Sequence, residues 1–183
     1  NENLKIINNQ IKQIGNLVNE FSDFARMPKP ILKENNLIQI IQENIKLLNE
    51  LDNTISISVK ASKKEIFLNS DKEQIARVFF NLIKNSIESI QQKAENDSNL
   101  EKKITIEVNE ENNHIIVNII DNGIGFEIFA ANIKDILNPY FTTKKNGTGL
   151  GLSIVSKIIN DHNGKIEFIP LDEGAKIKID FIK

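Results

Sequence analysis

The sequence contains no cysteine and no tryptophan, and it has one methionine and one tyrosine. Without cysteine the chain forms no disulfide and performs no thiolate chemistry, which fits a cytosolic domain. No apolar run approaches the ~20 residues that a membrane-spanning helix requires. The 183 residues have a net charge of −2 with both signs interspersed, so the charge gives no indication of nucleic-acid binding. The length suits one domain with an appendage.

The first 26 residues carry a heptad pattern. Apolar residues recur at alternating spacings of three and four: Leu4, Ile7, Ile11, Ile14, Val18, Phe21 and Ala25. This narrow apolar stripe cannot be buried on an isolated helix, and the helix therefore requires a partner helix. Either the helix packs back on its own domain, or it is half of a helical hairpin that dimerises into a four-helix bundle. The regular seam and the break at Pro28 and Pro30 favour the second interpretation.

Beyond the prolines, helical and strand patterns alternate. We predict helices over 37–51, about 71–92 and 150–161, and strands over 55–59, 66–68, 104–108, 114–120, 165–169 and 175–182. Ser70 or Asp71 can cap the second helix. Residues 122–148 are loop-rich, with a short helix predicted near 129–137, and a loop of this length is typical of a functional lid. The predicted fold is a two-layer α/β (α+β) sandwich, with three helices on one face of a mixed, mostly antiparallel sheet.

Four short motifs follow one another along this pattern. They read NLIKN at 81–85, DNGIG at 121–125, PYFTTK at 139–144 and GTGLGL at 147–152. Any one of them is ordinary turn or helix-surface material. Four of them in this order, separated by strand-sized and lid-sized gaps, indicate a single nucleotide pocket.

The first two motifs supply amide and carboxylate groups. Asn81 and Asn85 lie four residues apart, on one face of a helix. Mg²⁺ keeps several waters and needs only one or two protein oxygens, which a carboxamide provides without adding negative charge beside phosphates. Alone, such a pair is more typical of a solvated helix face. Asp121 ends a strand, where its carboxylate can accept a hydrogen bond from the amine of adenine, and Gly123 and Gly125 let the backbone approach the base.

The last two motifs suit phosphate binding. The glycines at 147, 149 and 151 precede a helix whose free N–H groups bind anions. No Lys-Ser or Lys-Thr pair follows, so this is not a Walker loop, and a preceding lid in place of a strand argues against a Rossmann fold. Tyr140 and Phe141 are predicted to anchor the lid, although both are alternatively plain core residues. Lys144 is placed to reach the γ-phosphate when the lid closes.

The four motifs resemble the N, G1, F and G2 boxes of the sensor histidine kinases of two-component systems, within the gyrase, Hsp90, histidine-kinase and MutL ATPase superfamily. The sequence FSDFARMP at 21–28 is most similar to the NtrY-type nitrogen-regulation kinases. The resemblance implies a Bergerat-type ATP-binding fold. It implies the second helix of the dimerisation and phosphotransfer hairpin at 1–27, a linker at 28–32, and a catalytic domain at 33–183 with its lid at about 122–148.

The resemblance implies ATP and Mg²⁺ as ligands. Asn85 would coordinate Mg²⁺. Asn81, at the phosphate end of the site, and Lys144 would be catalytic residues. Asn81 is also a second candidate ligand of the metal. The other implied nucleotide contacts are Asp121, Gly123, Gly125, Phe141, Thr142, Thr143, Lys145, Gly147, Thr148, Gly149, Leu150 and Gly151.

Two positions distinguish the chain from its wider superfamily. In the related ATPases a Glu stands at the position of Asn81 and activates water, so its absence favours transfer to another acceptor over hydrolysis. Glu88 stands where many sensor kinases carry Lys or Arg, although the sequence NSIES at 85–89 resembles the subgroup that contains the nitrogen-regulation kinases, where Glu is usual. Lys144 or Lys145 would then supply the positive charge at the phosphates.

The implied activity is a protein-histidine kinase that transfers the γ-phosphoryl of ATP to a histidine and then to an aspartate of a response-regulator receiver domain. Neither His114 nor His162 lies in a His-Glu or His-Asp context ahead of the heptad. Because the chain also begins at Asn1, we expect a fragment whose acceptor histidine lies upstream and which does not phosphorylate itself.

The resemblance also implies the setting of the full-length protein. It would be a homodimer through the N-terminal helix, with these residues in the cytoplasm and inner-membrane attachment through segments outside them. No nucleic-acid partner is expected. Two alternatives stay open: an ATP-hydrolysing machine of the gyrase or Hsp90 type, and a nucleotide-binding scaffold without kinase activity.

Overall fold

The computed structural model describes residues 25–126, 136–142 and 147–183, together with part of the N-terminal segment: Leu4, Ile7, Asn8, Gln10, Ile11, Ile14, Gly15, Val18, Phe21 and Ser22. Within residues 33–182 the described helices are α1 (Leu37–Leu51), α2 (Lys72–Ala94) and α3 (Gly151–Asp161). The described strands are β1 (Lys33–Asn36), β2 (Ser56–Ala61), β3 (Phe67–Ser70), β4 (Lys103–Glu111), β5 (His114–Asp121), β6 (Lys165–Pro170) and β7 (Ala175–Ile182).

The main sheet has five strands in the order β2-β4-β5-β7-β6. β2 runs parallel to β4, whereas the other neighbouring strands are antiparallel. A parallel pair requires a crossover, which here contains β3 and α2. The predicted mixed, mostly antiparallel sheet is therefore confirmed.

One face of the sheet and the inner faces of the helices form a single core. Alternate residues of β5 and β7 are buried, as the period of a strand requires: Ile115, Val117, Ile119, Ile177, Ile179 and Phe181. The centre of α2 is also buried, with Phe79, Leu82 and Ile83 fully inaccessible to solvent. This core joins three helices to one sheet and confirms the predicted two-layer sandwich.

The sequence analysis missed a small second sheet made of β1 and β3. β1 has the polar sequence KENN, which lacks the alternation of apolar and polar residues that indicates a strand. It pairs antiparallel with β3, with Lys33 opposite Ser70. The side-chain amide of Asn35 donates a hydrogen bond to the Ser70 carbonyl at 2.7 Å. Tertiary pairing, and not local pattern, makes this segment a strand.

Several element ends also differ from prediction by one to three residues. α2 continues to Ala94, two residues past the predicted end, and its last turn carries Lys93, whose positive charge suits the C-terminal end of a helix. The β4–β5 connection is a two-residue turn at Asn112 and Asn113, with φ of 48° and 68°. Positive φ at both central residues is the geometry that matches the twist of a hairpin.

The described residues of the N-terminal segment are helical, and the apolar residues of its heptad are exposed. Leu4 exposes 62% and Phe21 47% of its accessible surface, and the other described heptad residues Ile7, Ile11, Ile14 and Val18 lie between these values. These side chains thus remain available to a partner helix. No described helix combines the length and apolar character needed to cross a bilayer.

Asp71 is the N-cap of α2. Its Oδ1 accepts hydrogen bonds from the N–H groups of Glu73 and Gln74, both at 3.1 Å. Its Oδ2 accepts one from the N–H of Ile31 at 3.0 Å. The Gln74 side chain donates to the Pro28 carbonyl at 3.1 Å, so the segment after the heptad is fastened to the start of α2.

His162 connects the end of α3 to the same cap. Its Nε2 accepts a hydrogen bond from the N–H of Asp71 at 3.0 Å. Its Nδ1 lies 2.8 Å from the Ile158 carbonyl, to which it can donate the second hydrogen bond of the ring. His162 is buried and holds two helix ends together, so it has a structural role in this domain.

Replacing Asp71 with Ala is expected to lower the free energy of unfolding by about 1–2 kcal/mol, the usual cost of an N-cap. Burial raises the pKa of Asp71, but hydrogen bonds from Ile31, Gln74 and Glu73 outweigh it and lower that pKa overall. The stabilisation is therefore present above the unfolded-state pKa and lost as the pH falls through the folded-state pKa. Urea unfolding across acidic pH should show the difference from wild type shrinking. The exposed Asp172→Ala is the control, and a constant difference would contradict this assignment.

Candidate nucleotide-binding site

α2 and α3 meet where the first and last motifs lie. A Cβ built on Gly151, at the start of α3, would lie 4.0 Å from Oδ1 of Asn81 on α2. Asn85 follows one turn later on α2, and both asparagines are partly buried. Two amide side chains therefore lie on the α2 face that reaches the first turn of α3.

The start of α3 is open to an anion. The helix begins at Gly151, one residue after the predicted start, and its N-cap residue Leu150 makes no side-chain capping bond. The first N–H groups of a helix have no intrahelical acceptor and carry the positive end of its dipole. Phosphate groups bind at such termini. The backbone at the start of α3 therefore suits an anion, and the phosphate contacts of the GTGLGL motif stay a prediction.

The described part of the PYFTTK motif is bound to the GTGLGL motif. Gly149 has φ of 71°, and a Cβ there would lie 2.7 Å from the Cα of Tyr140. The Tyr140 N–H donates to the Gly149 carbonyl at 3.0 Å. Tyr140 is 55% exposed, so it is not the core residue that one alternative allowed. Thr143, Lys144 and Lys145 lie outside the described residues, and their roles stay predictions.

Asp121 is the last residue of β5 and is 5% exposed. Its Oδ1 accepts a hydrogen bond from the N–H of Gly123 at 3.0 Å. Its Oδ2 accepts one from the hydroxyl of Ser86 at 2.9 Å. A carboxylate held in this way keeps lone pairs for a further donor.

Burial raises the pKa of the Asp121 carboxyl above the usual range of an aspartate. Hydrogen bonds from Gly123, Ser86 and Ala175, and the charge of Lys93, offset the loss of hydration only in part. A desolvated carboxyl with a displaced pKa is characteristic of functional sites. Asp121 therefore suits recognition of a ligand that brings its own hydrogen-bond donor.

Glycine is required where the DNGIG loop crosses its neighbours. A Cβ on Gly123 would lie 2.7 Å from the backbone carbonyl carbon of Ser89 on α2. Gly125 has φ of 79°, and its Cβ would lie 2.8 Å from the carbonyl oxygen of Gly174 in the β6–β7 turn. The loop is therefore compressed between α2 and that turn.

Comparison with known proteins agrees with this geometry. The family described as histidine kinase-, DNA gyrase B- and HSP90-like ATPases matches residues 70–182, which contain all four motifs. The chain belongs to this family.

Proteins similar to the chain include histidine kinases. The chain is 34% identical, over 90% of its length, to the nitrogen regulation protein NtrY of Azorhizobium caulinodans, and it spans 21% of that relative. The solved catalytic domain of histidine kinase ThkA superposes with a TM-score of 0.71 at 29% identity, covering 83% of this chain and 95% of that domain. A structure of ThkA in complex with response regulator protein TrrA matches all of this chain and 51% of that one, with a TM-score of 0.75 and 26% identity.

Glu88 pairs within its own helix. Its carboxylate lies 3.8 Å from the ammonium of Lys84, one turn earlier on α2. The pair is partly exposed, so its contribution to stability is small. Lys84 thus offsets the charge of Glu88 at this end of the NLIKN motif.

Sequence reasoning did not select four residues that support the DNGIG loop. Ser86, Ser89 and Lys93 contact it from α2, and Gly174 contacts it from the β6–β7 turn. The spacing of three and four between the α2 residues is a signal that they share one helix face. The sequence DEGA at 172–175 is that of an ordinary turn and gives no indication that Gly174 contacts the DNGIG loop.

Proposed function

We propose that the chain is the ATP-binding catalytic domain of a sensor histidine kinase, which passes the γ-phosphoryl of ATP to a histidine outside residues 1–183. The observation that carries the proposal is the placement of α2. This helix joins the buried carboxylate of Asp121 to the uncapped start of α3. An adenine base and a phosphate chain require these two features at the two ends of one site.

The residues have separate roles in this proposal. Asp121 accepts a hydrogen bond from the 6-amino group of adenine, while the glycines of the DNGIG loop admit the base. The first N–H groups of α3 bind the phosphates. Asn85, with Asn81 beside it, holds Mg²⁺, which neutralises charge on the phosphates as in phosphoryl transfer generally. Lys144 and its neighbours Thr143 and Lys145 approach the γ-phosphate from the lid.

The chemistry of the metal site fits these residues. Among the described residues no group of three or more His, Cys, Asp or Glu side chains can hold a metal. Mg²⁺ needs only one or two protein oxygens when phosphates and waters provide the rest. The amide of Asn85 on α2 supplies one such oxygen without repelling the phosphates.

Transfer is favoured over hydrolysis because Asn81 is neutral. A general base must accept a proton at working pH, and a carboxamide cannot. Asn81, which faces the start of α3, therefore positions phosphate or metal and leaves water unactivated. Asn81 in place of the Glu of the related ATPases therefore favours a kinase over the alternative of a gyrase-type ATPase.

The partners of the whole protein belong to the same proposal. The exposed heptad face of residues 1–27 suits a second copy of this chain, which would form a helical bundle. The ThkA complex with TrrA supports a response-regulator receiver domain as the second acceptor. Residues 28–32 act as the linker and 33–183 as a cytoplasmic catalytic domain, with membrane attachment through other segments.

Replacing Asn85 with Ala is expected to make ATP binding insensitive to Mg²⁺, because the metal loses its protein oxygen. Calorimetric titration of ATP with Mg²⁺ and with chelator gives the ratio of the two dissociation constants. This ratio should fall to about one in the variant. Asn49→Ala, an exposed asparagine on α1, is the matched control. A Mg²⁺ enhancement that persists in Asn85→Ala would remove this residue from the metal site.

A further inference from the structure

One face of α2 contacts the DNGIG loop at three successive points. The hydroxyl of Ser86 donates to Asp121, the hydroxyl of Ser89 accepts from the N–H of Ile124 at 3.1 Å, and the ammonium of Lys93 donates to the carbonyl of Asn122 at 3.1 Å. Residues three and four apart on a helix share one face. The loop that carries Asp121 is therefore fixed from the same helix that carries Asn81 and Asn85.

Ser86 differs from the other two because it contacts the carboxylate and not the backbone. It is 2% exposed and reaches Oδ2, whereas the N–H of Gly123 reaches Oδ1. The carboxylate also accepts a hydrogen bond from the backbone of Ala175, so it has three described donors. These donors fix the plane of the carboxylate and set the direction in which it can accept a further hydrogen bond.

We propose that Ser86 is a positioning residue for adenine selection: its hydroxyl orients the Asp121 carboxylate toward the 6-amino group of the base. The inference rests on the proposed function and adds a residue to it. A guanine presents a carbonyl oxygen where adenine presents an amine, and a carboxylate facing that oxygen is left unpaired and repelled. Sites that select by such a pairing lose selectivity when the pairing group is free to turn.

A double-mutant cycle separates this role from a structural one. ADP and GDP dissociation constants are measured by calorimetry for the wild type, Ser86→Ala, Asp121→Asn and the combined variant. Ser86→Ala should weaken ADP binding about three- to tenfold, the effect of one hydrogen bond, and leave GDP binding within about twofold. In the Asp121→Asn background the same change should weaken ADP binding by less than about twofold, because Ser86 acts through Asp121.

A matched control is Ser70→Ala, which removes a fully buried hydroxyl that donates to the Leu68 carbonyl in β3. It should leave both nucleotides bound as in the wild type. Urea unfolding of each variant shows whether the folded domain is present during titration. Equal losses for ADP and GDP in Ser86→Ala, or the full loss repeated in the Asp121→Asn background, would overturn the proposal and leave Ser86 a packing residue.

The outcomes distinguish the inference from the function on which it rests. Wild-type protein that binds no ADP contradicts both. Wild-type binding that Asp121→Asn weakens and Ser86→Ala does not change contradicts the role of Ser86 alone. Weakened, less selective binding in Ser86→Ala, with coupling to Asp121, supports both.

Discussion

Replacing Asp121 with Asn is expected to weaken ADP binding by about 1–3 kcal/mol, the cost of a buried polar site left imperfectly paired. The carboxylate accepts hydrogen bonds from the N–H of Gly123, the hydroxyl of Ser86 and the backbone of Ala175, and in our account also from the amine of adenine. A carboxamide has one acceptor oxygen and turns two donors of its own toward these groups. The Asn side chain keeps the shape of the Asp side chain, but its pattern of hydrogen-bond donors and acceptors is different.

Calorimetric titration with ADP measures this loss. Asp180→Asn is a suitable control, because Asp180 is also on a strand of the main sheet but pairs with His114, the residue that follows the β4–β5 turn. It should bind ADP as the wild type does. Unchanged ADP affinity in Asp121→Asn would remove Asp121 from the site.

Replacing Gly174 with Ala is expected to destabilise the domain by about 2–5 kcal/mol. Gly174 has φ of 83°, which costs an alanine about 1–2 kcal/mol. Its Cβ would also overlap the Asp121 carbonyl oxygen and lie 2.7 Å from the Cα of Asn122. Both contacts are with backbone, so a side-chain rotation cannot relieve them. The displaced loop carries Asp121, and ADP binding should weaken together with stability.

The matched control is Gly151→Ala. Gly151 is helical, and its Cβ would meet only the Asn81 side chain, at 4.0 Å. The free energy of unfolding in urea should differ by no more than about 1 kcal/mol between Gly151→Ala and wild type, since Ala has a higher helix propensity than Gly. Equal stability of Gly174→Ala and wild type would contradict the close approach of the β6–β7 turn to the DNGIG loop.

Much of the fold could be predicted because burial produces periodic sequence. α1 was predicted at its observed bounds, since Leu37, Ile40 and Ile41 recur on one face and all are buried. β1 could not be predicted, because its residues are polar and become a strand only by pairing with β3. The parallel pairing of β2 with β4 was also beyond local pattern, because strand neighbours depend on the crossover and not on either sequence.

The candidate site divides in the same way. Residues that would touch the nucleotide, such as Asp121 and Asn85, have side chains whose chemistry is readable from type and spacing. Residues that support them are not readable in this way. Ser86 and Gly174 matter only because the folded chain brings them against the DNGIG loop. A serine on a helix and a glycine in a turn otherwise fit many roles.

The most direct test of the central claim uses γ-labelled ATP and Mg²⁺. It compares the 183-residue chain with a longer protein in which a histidine-bearing helix precedes the heptad segment. We expect acid-labile, base-stable label on the longer protein alone, because in the proposed function residues 1–183 bind ATP and the acceptor histidine lies outside them. Release of free phosphate without labelled protein would contradict this account in favour of an ATPase of the gyrase or Hsp90 type. If neither labelled protein nor free phosphate is detected, the account is contradicted in favour of a nucleotide-binding scaffold without kinase activity.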